Sequence, residues 1–190
     1  STFIYMCQQA GIDVTPFYAD EVSTFTPAPA QRPQQEKKML LADYIPAEFC
    51  QRSLSYQSNF VQFLCSILDK ETLESPTIER LMNDYYLGAT KDKSVIFWQI
   101  DAKNNIRTGK VMQYNAGSGH RIKNGNGIDW VHSIMKKRGL LPDTFNMVQC
   151  LFGEHLLTRY PDKAVAVTES EKSALIGSAV FPSMIWLAVG

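Results

Sequence analysis

No two cysteines of this chain stand close together. Cys7, Cys50, Cys65 and Cys150 are scattered over 190 residues, and no C-x-x-C pair occurs. That spacing excludes a sequence-local zinc ribbon, so no zinc is expected, and it excludes a disulfide scaffold. The four thiols read as free, buried groups in a reducing compartment. Net charge is also lacking, because 19 Lys and Arg balance 19 Asp and Glu. Composition therefore exerts no overall pull toward nucleic acid or membrane, and any electrostatic function must come from local patches. Apolar runs are short, all below the roughly 18 residues of a membrane span. No charged segment followed by an apolar one opens the chain, so the cytoplasm is the default location. Histidine is scarce. His120, His132 and His155 lie far from any cysteine pair and assemble no Ser-His-Asp arrangement, so each reads as a surface or packing residue.

What remains is ordinary soluble-protein material, 45% hydrophobic and 20% charged, enough for one domain or two small ones. Residues 2–10 suit a short helix ending at Gly11. From Thr15 to Pro33 four prolines and scattered hydroxyls read as an extended arm, and Phe17, Tyr18 and Phe25 suggest that it docks on something. "IPAEFCQRSL" starts a helix with Pro46 in its first turn. "SNFVQFLCSIL" makes another, with Ser58 as cap and a stripe of Phe60, Phe63, Leu64, Ile67 and Leu68. "SPTIERLMNDYYLG" is a third, capped by Ser75, with Pro76 at its first position and Gly88 as its stop.

The period then changes from helical to alternating. "SVIFWQID" and "NIRTGKVMQY" are strands, and "AKNN" between them has turn chemistry, which predicts a hairpin. "AGSGHRIKNGNG" is a glycine-rich loop or a ragged third strand. It is not a G-x-G-x-x-G fingerprint, but a loop of this kind can lie against a phosphate backbone. "IDWVHSIMKKRG" is a helix whose terminal cations suit its negative end. "LFGEHLLTRYP" is a short helix. "AVAV", "SEKSALIGSA" and "MIWLAV" then make a β-α-β tail, whose natural form is a parallel crossover. The expected class is α+β to α/β: N-terminal helices, a hairpin-based antiparallel sheet, and a βαβ start. Expected boundaries are a helix and Pro-rich arm at 1–40, a helical and hairpin subdomain at 41–160, and a partial βαβ at 161–190. Two parallel strands rarely make a complete sheet. The end at Gly190 therefore raises the expectation of a truncated domain.

The junction "VAVTESEKSAL" places two carboxylates and a lysine where a strand hands over to a helix. In α/β sheets ligands bind beyond the carboxyl ends of strands, where Glu169 lies, and a carboxylate there can hold Mg²⁺ through one or two oxygens. Glu171 falls in the helix's first turn and could equally complement its dipole, while Lys172 could touch a phosphate. The same letters also read as a plain N-cap with acidic first-turn residues.

This junction resembles the start of a toprim domain, the metal-binding catalytic fold of primases and topoisomerases. The primase-helicase form reads V-x-E-G-E-K-D-A-L. Here Glu169, Glu171, Lys172, Ala174 and Leu175 keep the pattern, while Ser170 replaces the glycine and Ser173 the aspartate. Upstream, "LMNDYYLGAT", "VIFWQIDAKNNIRTGKVMQY" and "LFGEHLL" resemble the helix, hairpin and short segment that precede toprim in primases. The resemblance covers roughly residues 58–190 and is greatest to primase-like proteins of bacterial mobile elements. It implies a DNA-replication role for the parent protein, with Glu169 as a catalytic metal ligand and Lys172 as a nucleotide contact. The family's paired aspartates would follow Gly190, so magnesium binding is expected only with them, and the chain alone is expected to be inactive.

From residue 102 to 138 there are eight basic residues against one acid, Asp129. A basic groove interleaved with aromatic rings is the recipe for single-stranded nucleic acid. Arg107, Lys110, Tyr114, Arg121, Lys123, Lys136, Lys137 and Arg138 are the candidate contacts, to single-stranded DNA and to nucleotides. Trp98 and Trp130 are also interleaved, and they serve equally as core residues beneath solvated faces. The alternative to an enzyme is a non-catalytic nucleic-acid-binding or adaptor module with a degenerate toprim start.

Overall fold

In the computed structural model, residues 41–68, 77–123 and 127–190 are described. The helix at 2–10, the arm at 15–33 and the start of the third helix at Ser75 and Pro76 lie outside them. The described chain is a mixed α+β fold with three opening helices and an antiparallel four-stranded sheet, followed by a parallel strand pair flanking a helix.

The opening helices are α1 (Ala47–Ser53), α2 (Asn59–Leu68) and α3 (Thr77–Tyr85). Pro46 is the N-cap of α1, and its fixed φ sets the entry to the helix. Ser58 caps α2 as its spacing requires, its Oγ accepting the Val61 amide at 3.2 Å. Phe60, Val61, Leu64 and Leu68 form the buried face of α2, whereas Ile67 of the expected stripe is exposed. The core face is thus rotated toward Val61. Gly88 does not stop α3. The helix ends at Tyr85, Tyr86 takes a positive φ of 51°, and Gly88 enters a strand. A Cβ at Gly88 would sit 2.5 Å from Ser53 Oγ, so close approach to α1 explains the glycine there.

The sheet is ordered β1 (Gly88–Ala89), β2 (Val95–Ile100), β3 (Ile106–Met112) and β4 (Asp129–Trp130). All of its pairings are antiparallel. The β2–β3 hairpin forms where expected, with Asn104 in the left-handed region of its turn at φ 64°. Asp101 accepts the amides of Lys103 and Asn105, each at 2.9 Å, and so closes that turn. Beyond β3 the glycine-rich segment folds back through a Tyr114–Arg121 bridge, so part of it behaves as the ragged strand extension.

Strand alternation splits the interior in two. Val95, Phe97 and Met112 join α2, α3, Phe152 and Leu156 in one cluster. Phe97 lies 5.4 Å from Phe60 and 5.7 Å from Phe152, ring centre to ring centre, both edge-to-face. Ile96, Trp98, Ile100 and Ile106 face the other way, with Cys50, Phe145 and helix α4 (Val131–Lys137). Each strand of the hairpin therefore buries both faces, which is why β2 is apolar throughout except for Gln99.

After the short helix α5 (Leu156–Arg159), strands β5 (Val165–Thr168) and β6 (Ile185–Ala188) pair in parallel around helix α6 (Glu171–Val180). Ala174, Leu175, Ala179, Ile185 and Leu187 belong to the same cluster as Phe97 and Phe60. The βαβ tail thus shares its core with the helical and hairpin part. Among the described residues no helix is long and apolar enough to cross a membrane.

Candidate functional site

The turn between β5 and α6 is built by its own polar side chains. Thr168 Oγ1 donates to the carbonyls of Leu187 and Ser170, each at 3.1 Å. Ser170 Oγ accepts the Ser173 amide at 3.2 Å and lies 2.9 Å from Ser173 Oγ, a hydroxyl N-cap. The Glu169 carbonyl accepts the Gly190 amide at 3.1 Å, tying the carboxyl ends of β5 and β6 together. The Glu169 side chain points outward and is exposed.

Glu171 turns the opposite way. It is 1% exposed, and Lys110 of β3 meets it there. The ammonium stands 3.1 Å from Oε1 and donates its hydrogen bond to Oε2 at 3.3 Å. Glu171 is therefore more than a dipole partner at a helix start. It is half of a buried ion pair that joins helix to sheet, and Lys110 is not a surface contact. Tyr114 is also interior, 5% exposed, and burial together with the negative charge of Glu171 pushes its phenol up to about 12. Its ring packs 4.8 Å from Phe60, so it offers no stacking platform.

Gln99 lies in the same polar interior and sequence reasoning passed over it. The side chain is 1% exposed, and neither amide atom has a hydrogen-bond partner among the described residues. A Cβ on Gly190 would fall 3.1 Å from Glu171 Oε1 and 3.5 Å from Gln99 Nε2, so both groups gather under the end of β6. The available signal was a single amide inside the otherwise apolar run VIFWQI.

The remaining basic candidates divide by location. Lys172 donates to the Gly119 carbonyl at 2.6 Å and lies 5.0 Å over the Phe63 ring, pinning the 115–121 loop beside the start of α6. Arg121 is half-buried on that loop, its Nε without a partner among the described residues, and Lys123 beyond it is exposed. Arg107 is held by Asp101 at 2.8 Å and covers the Tyr44 ring. Lys136 closes a loop by donating to the carbonyls of Asp143 and Phe145 at 2.9 and 3.1 Å. Lys137 and Arg138 are exposed at the end of α4. Helix α4 packs with Ile96 and Trp98, while α6 packs with the cluster of Val95 and Phe97. The Lys137–Arg138 pair and the Glu169 turn therefore serve opposite faces of the sheet, and the run of charge in the sequence is not one groove. Trp98 is 1% exposed and gives its Nε1 hydrogen to Ser53, so it is core. Trp130 is half-buried in β4.

His155 is buried, with Nε2 2.7 Å from the Asp84 carbonyl, and burial lowers its pKa. His132 lies 2.7 Å from Thr108 Oγ1, and burial and then the charge of Lys136 lower its pKa. Burial pushes the Cys50 and Cys150 thiols up to about 12, so neither is a ready nucleophile. Among the described residues no three His, Cys, Asp or Glu side chains gather around one point. Glu171 is committed to Lys110, which leaves Glu169 as the outward carboxylate of the turn. One carboxylate does not make a magnesium set by itself.

A family profile described as Domain of unknown function (DUF6371) matches residues 58–190, and the chain belongs to that family. No curated protein and no solved structure matches the chain.

Proposed function

We propose that this domain is a primase-like, nucleic-acid-handling module of the toprim type. Single-stranded DNA would run past Arg121, Lys123 and Lys172, with Glu169 as the toprim glutamate. The observation that carries the reading is the parallel β5-α6-β6 unit, which holds Glu169 outward at the carboxyl end of β5 beside the basic 115–123 segment. Magnesium would bind at Glu169 only with oxygens from further carboxylates or from a bound phosphate. A cytoplasmic DNA-replication setting, on a mobile genetic element, goes with this reading.

A second reading is a binding module without catalysis. The Ser170–Ser173 cap and the inward Glu171 favour it, because both spend toprim positions on stability. Fluorescence anisotropy of a labelled single-stranded oligonucleotide across a salt series tests what the two readings share. Binding should weaken with salt, and Arg121→Ala with Lys123→Ala should flatten the slope by about 1.4 in log–log units. No binding at low salt would remove both readings. In a form of the protein that carries the family's paired aspartates, metal-dependent nucleotidyl transfer abolished by Glu169→Gln would choose the enzyme, whereas transfer indifferent to that change would choose the module.

A further inference from the structure

A groove of about 850 Å³ runs across the sheet face opposite the Glu169 turn, between α1 and α4. Ile96, Val111, Ile134 and Leu140 supply aliphatic walls, and Leu140 is 52% exposed at the rim. Three cations stand on the rim: Lys91, Lys137 and Arg138. All three are exposed, and none has an ion pair among the described residues. Two exposed aspartates share the rim, where Asp92 accepts from Ser94 Oγ at 2.8 Å and Asp129 accepts the Trp130 amide at 2.9 Å, so three cations stand against two carboxylates and the adjacent Lys137 and Arg138 carry the excess.

We propose that this groove is a docking site for an acidic, amphipathic peptide segment of a partner protein, which lays aliphatic or aromatic side chains on the apolar floor and carboxylates against Lys91, Lys137 and Arg138. Apolar anchors in a trough with charges at its edge are the usual form of helix-in-groove recognition, and complementary charge sets its register and on-rate. Single-stranded nucleic acid fits the groove less well. Its bases need exposed ring faces, whereas of the two rings in the lining Trp98 is 1% exposed with its N–H taken by Ser53, and Phe49 is half-buried. The groove lies away from the Glu169 turn, but Ile122 of its wall stands between Arg121 and Lys123, so the two proposals meet at that segment and the test variants are placed at the Lys137–Leu140 rim instead.

The test is to pan a random twelve-residue peptide library against the protein, then measure the most enriched peptide by anisotropy. Variants are Lys137→Glu with Arg138→Glu, and separately Leu140→Ser, all at exposed positions, so both should keep the fold; circular dichroism checks this. Enriched peptides should carry Asp or Glu beside apolar residues. Binding should fall at least tenfold in each variant and weaken with salt. The proposal is overturned by enrichment of basic peptides, by equal binding to the variants, or by no enrichment. Loss of oligonucleotide binding in the charge-reversal variant would also overturn it, since the groove would then be a nucleic-acid path. Absence of DNA binding with retained peptide binding would sink only the DNA reading.

Discussion

Replacing Glu171 by Gln should destabilise this protein far more than a surface charge change would. The Lys110 and Glu171 side chains are 9% and 2% exposed and 3.1 Å apart. Two unit charges about 3 Å apart attract by roughly 5 kcal/mol at an effective dielectric of about 20. Each ion also costs several kcal/mol to bury, so the intact pair is worth little compared with apolar side chains in its place. Removing one partner keeps the burial cost of the other and loses the attraction. Glu171→Gln should therefore cost about 3–5 kcal/mol. At this chain length that lowers Tm by about 6–20 °C. Lys110→Met with Glu171→Leu removes both charges and should recover most of the loss. Urea denaturation of the wild type, Lys110→Met, Glu171→Leu and the double variant gives the coupling energy directly. A loss under about 1 kcal/mol for Glu171→Gln, or a double variant as unstable as the two singles summed, would refute the reasoning, because the pair would then behave as a solvated surface bridge.

Stability should also fall as the solution is acidified from neutrality. Burial depresses the pKa of His155, so the fold keeps its imidazole neutral while the unfolded chain takes up a proton below its ordinary value of about 6.5. The stability that this residue contributes is complete above that pH and is lost below it, at up to about 1.4 kcal/mol per pH unit. His132 acts in the same direction. Urea midpoints at a series of pH values check this, and a midpoint constant between pH 7 and pH 5 would contradict it. Gly109→Ala should cost about 1–3 kcal/mol by overpacking, since its Cβ would fall 2.8 Å from Ile96 and 2.9 Å from Val131. A change within the error of the same measurement would show that β3 and α4 separate freely.

Local signals were the legible part of the fold. Alternation and turn chemistry placed β2 and β3, Ser58 marked the start of α2, and the strand–helix–strand tail came out parallel. Each depends on neighbours within a few residues. The site was less legible, because its meaning depends on partners far along the chain. Lys110 reads as a solvent-facing cation until Glu171, 61 positions later, is brought against it. Tyr114 and Trp98 read as possible platforms, yet a hairpin sandwiched on both faces buries them. The run Lys136–Arg138 reads as one patch, whereas in the fold Lys136 turns back to two carbonyls and its neighbours face a different groove. Gly88 looked like a helix stop because nothing in the sequence shows Tyr86 adopting positive φ two residues earlier.

The most direct test of the nucleic-acid reading is to photocrosslink a bromodeoxyuridine-substituted single-stranded oligonucleotide to the protein and identify the attached peptides by mass spectrometry. Crosslinks should fall within residues 115–123 and 169–173, the loop and turn that Lys172 joins. Crosslinks confined to the Lys137–Leu140 rim, or none above background at low salt, would contradict it.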